Sequence, residues 1–230
     1  MKSIIFYNLY PKNHWKELTL FLLSNVPHDT IVVNVTLDTF DKIFRKNSIK
    51  RFLQKIPKVI EVYFTDNSPY GEVPGFDKMR KNTNLSEYSI LTYMHSKGVT
   101  KPKNENIKDW TKLMHYFLID KFNLCKEVFS RKYILYGVNL SNDKNWFAER
   151  EFGPNKFSKF HYSGTFVSVN LDLVRDKFIN TPVEFDYFGI EGFFGKLCTY
   201  EQAYNAHDSN IIMQGASHYT TPYPEVYYKK

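Results

Sequence analysis

Glycine is missing where nucleotide-binding chains most often need it. Ten glycines are spread over 230 residues, and the first apolar run ends in Asn8-Leu9-Tyr10-Pro11. Neither the dinucleotide fingerprint nor a Walker loop can be built there. Cysteine is rarer still. Cys125 and Cys198 lie far apart with no partner at metal-ligand spacing, which excludes a disulfide framework and a zinc cage and leaves two buried thiols as the expectation. No run approaches the roughly 18 consecutive apolar residues of a membrane-spanning helix. The opening Met1-Lys2-Ser3-Ile4-Ile5-Phe6 lacks the small-residue cleavage site of a secretory signal, so a soluble, cytoplasmic protein is expected. Ser163 stands in His161-Tyr162-Ser163-Gly164-Thr165 without the paired glycines of a nucleophile elbow, and a hydrolase triad has no support.

What the chain does have is apolar mass and positive charge. With 43% hydrophobic and 17% aromatic residues it can bury one sizeable core, and disorder is excluded as its main state. Lys plus Arg outnumber Asp plus Glu by 31 to 24, for a net charge of +7. That balance favours anionic partners: nucleotides, phosphorylated sugars, nucleic acid or an acidic membrane face. The abundance of Lys, Asn, Ile, Phe and Tyr matches the codon bias of an AT-rich genome, so charge by itself does not choose among them.

Short β-branched or aromatic runs recur at 4–7, 31–37, 59–64 and 88–94, separated by stretches of helical length. Trp15, Leu18 and Leu22 give the first connector an apolar face that ends at Pro27. Ile43, Phe44, Phe52, Leu53 and Ile56 predict one second helix ending near Pro57. A helix capped by Asp109, strands over 133–140 and 165–169, a long loop over 141–162, and helices over 171–178 and 190–204 follow. The pattern predicts an α/β, Rossmann-like single domain over 1–230, with a central mostly parallel sheet flanked by helices. In such sheets ligands gather at the carboxyl ends of strands. Asn8 and Tyr10 follow the first strand, Asp38 the second, Asp66 and Asn67 the third, and His95-Ser96-Lys97-Gly98 the fourth.

That last segment is the most specific signal. Together with Gly71-Glu72, Lys78-Met79-Arg80, Asp109-Trp110 with Met114 and Tyr116-Phe117, and His161 to Phe166, it resembles a group of GT-A type glycosyltransferases. The group occurs in large DNA viruses and bacterial polysaccharide loci and is related to rhamnan-synthesis transferases. The resemblance covers roughly residues 60 to 200. It implies a nucleotide-sugar-binding half over 1–100 and an acceptor-binding half over 101–230, and, for a viral chain, the host cytoplasm as location. It also implies that His95, Lys97 and Gly98 occupy the place of an Asp-x-Asp metal motif. Here His and Lys replace the aspartates, so Lys97 is expected to neutralise the departing nucleoside diphosphate. Mn²⁺ or another divalent cation is expected with His95 as its ligand, Asp66 or His207 assisting. His161, Ser163, Gly164 and Thr165 are the implied sugar and acceptor segment.

The residues themselves add donor-binding candidates. Asp66 and Asn67 can hold a nucleoside, Tyr7 or Tyr10 can offer a ring for its base, Asn8 lies beside them, and Lys78 follows the third strand. For each one a plain turn, core or surface role is the alternative. Glu191, between Gly189 and Gly192 and among Tyr187, Phe188, Phe193 and Phe194, is the candidate general base, with Asp186 and Asp172 as competitors. The glycines would leave room for an acceptor, and desolvation by the aromatic rings would raise its pKa, against a helix dipole that would lower it. The expected activity is transfer of a sugar from a nucleotide donor, a UDP-sugar first, to a glycan or other hydroxyl acceptor, with no nucleic acid as partner. Two alternatives stand beside it. One is a sugar-phosphate nucleotidyltransferase. The other is a basic module that binds nucleic acid or a membrane through residues 42–58, where seven Lys and Arg accompany an apolar stripe; a helix simply packing on the sheet is the plain explanation of that stripe.

Overall fold

The computed structural model describes residues 1–142, 157–210 and 217–229. Four parallel strands form first: β1 (Ser3–Leu9), β2 (Thr30–Leu37), β3 (Val59–Asp66) and β4 (Ile90–His95). Helices α1 (Trp15–Leu23), α2 (Thr39–Phe44), α3 (Lys46–Leu53) and α4 (Val73–Asn82) connect them. Then come α5 (Glu105–His115) with a π-helical turn over Tyr116–Asp120, α6 (Phe122–Ser130), β5 (Leu135–Gly137), β6 (Leu140–Asn142), β7 (Phe160–Tyr162), β8 (Val167–Asn170), α7 (Leu171–Asn180), α8 (Gly189–Gly195) and β9 (Ala203–Asn205).

Among the described residues one sheet of seven strands runs in the order β3-β2-β1-β4-β8-β5-β9. Only β8 opposes its neighbours β4 and β5. The expected α/β architecture with a mostly parallel sheet is therefore what forms. From β1 the chain goes outward to β2 and β3, then returns to place β4 on the other side of β1. That reversal opens a crevice at the carboxyl ends of β1 and β4.

The alternation of side chains divides the core in two. Ile5, Tyr7, Leu9, Ile31 and Val33 face one layer with Trp15, Leu22, Trp110 and Phe122. Ile4, Phe6, Val32, Leu91 and Tyr93 face the other with Phe76, Phe178 and Phe193. β1 is buried along its whole length, as a strand covered on both faces must be. No described helix is long and apolar enough to cross a membrane.

Four expected boundaries move. The single helix expected from Ile43 to Ile56 is two, jointed at Arg45 (φ −120°, ψ −13°); α3 buries Ile49 and Leu53, whereas α2 buries only Asp41 and leaves Ile43 and Phe44 exposed. α5 starts four residues before Asp109, and its cap is Asn104, whose side chain accepts from the Ile107 N–H at 3.2 Å. The strand over 133–140 breaks at Asn139, which adopts φ +53°. The helix over 190–204 ends at Gly195, and its last part becomes β9, paired in parallel with β5. Most of the loop expected over 141–162 lies outside the described residues.

Candidate active site

The crevice at the switch point is a cleft of about 350 Å³. The β1 and β4 exits form its floor, continuing the strand register beyond Asn8 and His95. The Ser96 N–H donates to the Asn8 carbonyl at 3.0 Å and the Tyr10 N–H to Ser96 Oγ at 2.9 Å. Gly98 turns the chain away at φ +81°, and a Cβ there would stand 2.5 Å from Ile107. Both the conformation and the close approach require glycine.

Glu72 is the centre of one wall. It immediately precedes α4, and Asn8 holds its backbone, donating from Nδ2 to the Glu72 carbonyl at 2.9 Å. Its carboxylate, 35% exposed, takes a bond from His95 Nδ1 and another from the Tyr93 hydroxyl at 2.5 Å. Desolvation alone would raise this carboxyl, but the charge of His95, the bonds from His95 and Tyr93, and nearby Lys97 outweigh it and hold the group below the usual carboxylate range. Nε2 of His95 is buried and has no hydrogen-bond partner among the described residues.

Lys97 is on the other wall, with Glu191 and the 162–165 turn outside the lining. Lys97 Nζ lies 4.1 Å from the centre of the Trp110 ring. Desolvation lowers its pKa, and Glu191 and Glu72 pull the other way. Glu191, in the first turn of α8, stands just behind the cleft lining and accepts from Thr165 Oγ1 at 3.0 Å. Desolvation raises its pKa against the opposing charge of Lys97 and the Thr165 bond. The raised direction expected from its apolar setting is what the fold produces. The two glycines beside it serve close packing and do not themselves open space: a Cβ on Gly189 would lie 2.0 Å from the Glu184 carbonyl and one on Gly192 2.5 Å from Phe157.

The fold gathers some of the sequence candidates and scatters others. Asn8, Asn67, His95, Lys97 and Gly98 line the cleft. Asn8 does so with both ends of its amide engaged, since its Oδ1 accepts from Asn34 Nδ2 at 2.9 Å. Tyr7 offers no ring to a base. It is fully buried in the core, its hydroxyl 3.1 Å from Thr19 Oγ1. Tyr10 is at the rim instead, donating to Asp38 at 3.0 Å. Asp66 and Lys78 face a separate groove on the β3 side, where Asp66 pairs with Lys42 at 2.9 Å and Lys78 Nζ donates to the Phe64 carbonyl at 2.8 Å. His161 and Ser163 are buried away from the lining, on and after β7, and burial pushes His161 down to about 4. Gly164, at φ +91°, lets the turn pack on Trp110 and Met114, and Thr165 acts only through its bond to Glu191. Asp172 pairs with Arg175 at 3.4 Å on α7, which leaves it no part in the cleft.

Three further residues line the cleft. Glu72 stands in the sequence only as part of the Gly71-Glu72 motif. Tyr187, 70% exposed, packs beside Gly71 on the lining. Tyr219 comes from the polar tail, which returns to stack His218 on Trp110 at 4.3 Å between ring centres; its backbone carbonyl accepts from Asn104 and Asn106 at 3.2 Å. No local pattern in the tail announces that return.

The metal ligands expected around His95 do not assemble. Among the described residues no three His, Cys, Asp or Glu side chains gather; Asp66 is in the β3 groove and His207 stacks on Phe117 at 5.3 Å. The described residues form no protein cage for a metal here.

No protein-family description matches this chain, and no curated protein is similar to it in sequence. Among solved structures it is similar to the 4-diphosphocytidyl-2C-methyl-D-erythritol synthase of Anaerococcus prevotii, with 13% identity over 89% of this chain and 87% of that one, at a TM-score of 0.45. The functional reading that follows therefore rests on the site's own geometry.

Proposed function

We propose that this chain is a glycosyltransferase that moves a sugar from a nucleoside-diphosphate donor, a UDP-sugar first, to a hydroxyl acceptor. The observation that carries it is an ammonium on the lining of the switch-point cleft, Lys97, with a desolvated carboxylate, Glu191, held by Thr165 within its field. Glycosyl transfer asks for those two groups. As the acceptor oxygen bonds to the anomeric carbon, its proton passes to Glu191, and the bond from that carbon to the diphosphate oxygen breaks with its electron pair leaving on phosphate. Lys97, with Lys101 beside it on the lining, meets that growing negative charge. A base poised upward, nearer the working pH, suits the first proton transfer. A divalent cation enters this proposal only as a companion of the donor's phosphates, as Mg²⁺ commonly is. Tyr187 and Tyr219 supply rings for a base or sugar face.

A sugar-phosphate nucleotidyltransferase is the second reading. Lys97 and Lys101 on one loop, neither ion-paired to a described residue, suit a triphosphate as well as a diphosphate. The two differ in what leaves. Calorimetric titration with UDP, GDP and CMP, with and without Mn²⁺, comes first, and failure of all three to bind overturns the donor assignment. Release of nucleoside diphosphate from a nucleotide sugar supports the glycosyltransferase; release of pyrophosphate from a nucleoside triphosphate and a sugar phosphate moves the chain to the second reading. Full activity in EDTA dismisses the cation.

A further inference from the structure

Helix α2 is built inside out. On its six residues the buried side chain is Asp41, held by Arg45 at 2.8 Å, whereas Phe40, Ile43 and Phe44 are 62%, 67% and 69% exposed. Positions i, i+3 and i+4 fall on one side of a helix, so the three form a single projecting patch, with the two phenylalanine rings 4.9 Å apart. Single exposed apolar residues are ordinary, but three contiguous large ones on a short helix are not. Basic residues surround them. Residues 39–58 hold Lys42, Arg45, Lys46, Lys50, Arg51, Lys55 and Lys58 against one acid, Asp41. All of the lysines and Arg51 are exposed, because α3 turns Ile49 and Leu53 into the core.

We propose that this surface docks on an anionic lipid bilayer, with Phe40, Ile43 and Phe44 entering the headgroup boundary and the lysines of α3 meeting acidic headgroups. Aromatic and aliphatic side chains on one side of a helix, ringed by Lys and Arg, have the composition of an interfacial element, and the ring's charge complements an acidic leaflet. A second copy of the chain fits poorly, because a two-fold pairing through this patch would set one basic ring against the other. Nucleic acid would use the charge but has no need of an exposed Ile43. The placement has a consequence for the cleft. α2 begins directly after Asp38, whose carboxylate is held by Tyr10 and by Asn67 Nδ2 at 2.9 Å, and Tyr10 and Asn67 are lining residues. A docked molecule would therefore hold the cleft beside the membrane surface, whatever the cleft catalyses.

Co-sedimentation of the full chain with mixed phosphatidylcholine–phosphatidylserine vesicles, against pure phosphatidylcholine vesicles, tests this. The expected result is binding to the mixed vesicles that weakens with salt and is lost when Phe40→Ser, Ile43→Ser and Phe44→Ser are combined. Lys46→Ala alone should weaken it about fivefold, the share of one basic residue at an acidic surface. All four side chains are exposed, so an unchanged thermal melt should accompany each loss. As a second readout, Phe44→Trp should shift its emission to the blue on the mixed vesicles. Equal sedimentation with both vesicle types, or full binding by the triple variant, overturns the proposal. So does a patch-dependent dimer in analytical ultracentrifugation, or tighter binding of an oligonucleotide that survives the triple substitution.

Discussion

The two walls of the cleft treat the same residue type in opposite ways. On the β4 side Glu72 is surrounded by donors: His95, the Tyr93 hydroxyl and the field of Lys97. On the α8 side Glu191 has one hydroxyl, Thr165, and a lysine that is itself desolvated. The first carboxyl is held down and the second pushed up. Helix position does not explain this, since Glu72 occupies the N-cap position of α4 and Glu191 is in the first turn of α8, so both stand at helix N-termini where the dipole favours the anion. The difference lies in the charge of His95 beside Glu72 and in the hydrogen bonds from His95 and Tyr93 that replace lost water there. It separates a fixed anion that orients His95 from a carboxylate able to accept a proton.

The largest effect should come from the cation between the walls. Lys97→Ala is expected to lower turnover by about 10²–10³-fold, the range for removing one preorganised donor to a developing anion, with a smaller change in donor affinity. Steady-state kinetics with separately measured nucleotide binding checks this, and an unchanged rate would return Lys97 to a structural role against Trp110. Next, Glu191→Gln should reduce transfer at least about 10²-fold while the nucleotide still binds. If Glu72→Gln abolishes transfer and Glu191→Gln spares it, the base belongs to the Glu72–His95 pair on the opposite wall.

The same two substitutions should move stability in opposite directions. The raised Glu191 carboxyl binds its proton more tightly in the native state than in the unfolded chain, so its contribution is present at low pH and lost as pH rises through the folded value. Glu191→Gln should therefore raise the melting temperature at neutral pH, with the gain vanishing in acid. The lowered Glu72 carboxyl does the reverse: its contribution is present above the unfolded value and lost as pH falls through the folded one. Glu72→Gln should melt lower at neutral pH, and its deficit should shrink in acid. Melts across pH that move both variants the same way would dissolve the contrast. The smallest expected effect concerns neither wall. Tyr7→Phe removes a buried hydroxyl paired with Thr19 and should cost about 1 kcal/mol of stability, leaving nucleotide affinity as it was.

Local pattern was enough for the first half of the fold. Apolar runs at 4–7 and 31–37 became β1 and β2, inner strands buried along their whole length because both faces are covered, whereas 59–64 became β3, the edge strand, in which Val62 alone is buried. The alternation of runs with helical stretches implied parallel pairing, and hence a site at the strand ends that includes His95, Lys97 and Gly98. What the chain could not announce locally was decided by partners distant in sequence. Whether 203–205 forms a helix or an edge strand depends on β5 offering a free edge. Tyr7 and Asp66 end up away from the cleft because a strand's two-residue period sends Tyr7 into the core, while Lys42, reached only after β2 and β3 pair, draws Asp66 to the other groove. Glu72 and Glu191 read alike as single letters. Their opposite character arises from neighbours 23 and 21 positions away for Glu72, at His95 and Tyr93, and 26 positions away for Glu191, at Thr165, because desolvation and hydrogen bonding are properties of a packed surrounding and not of the residue.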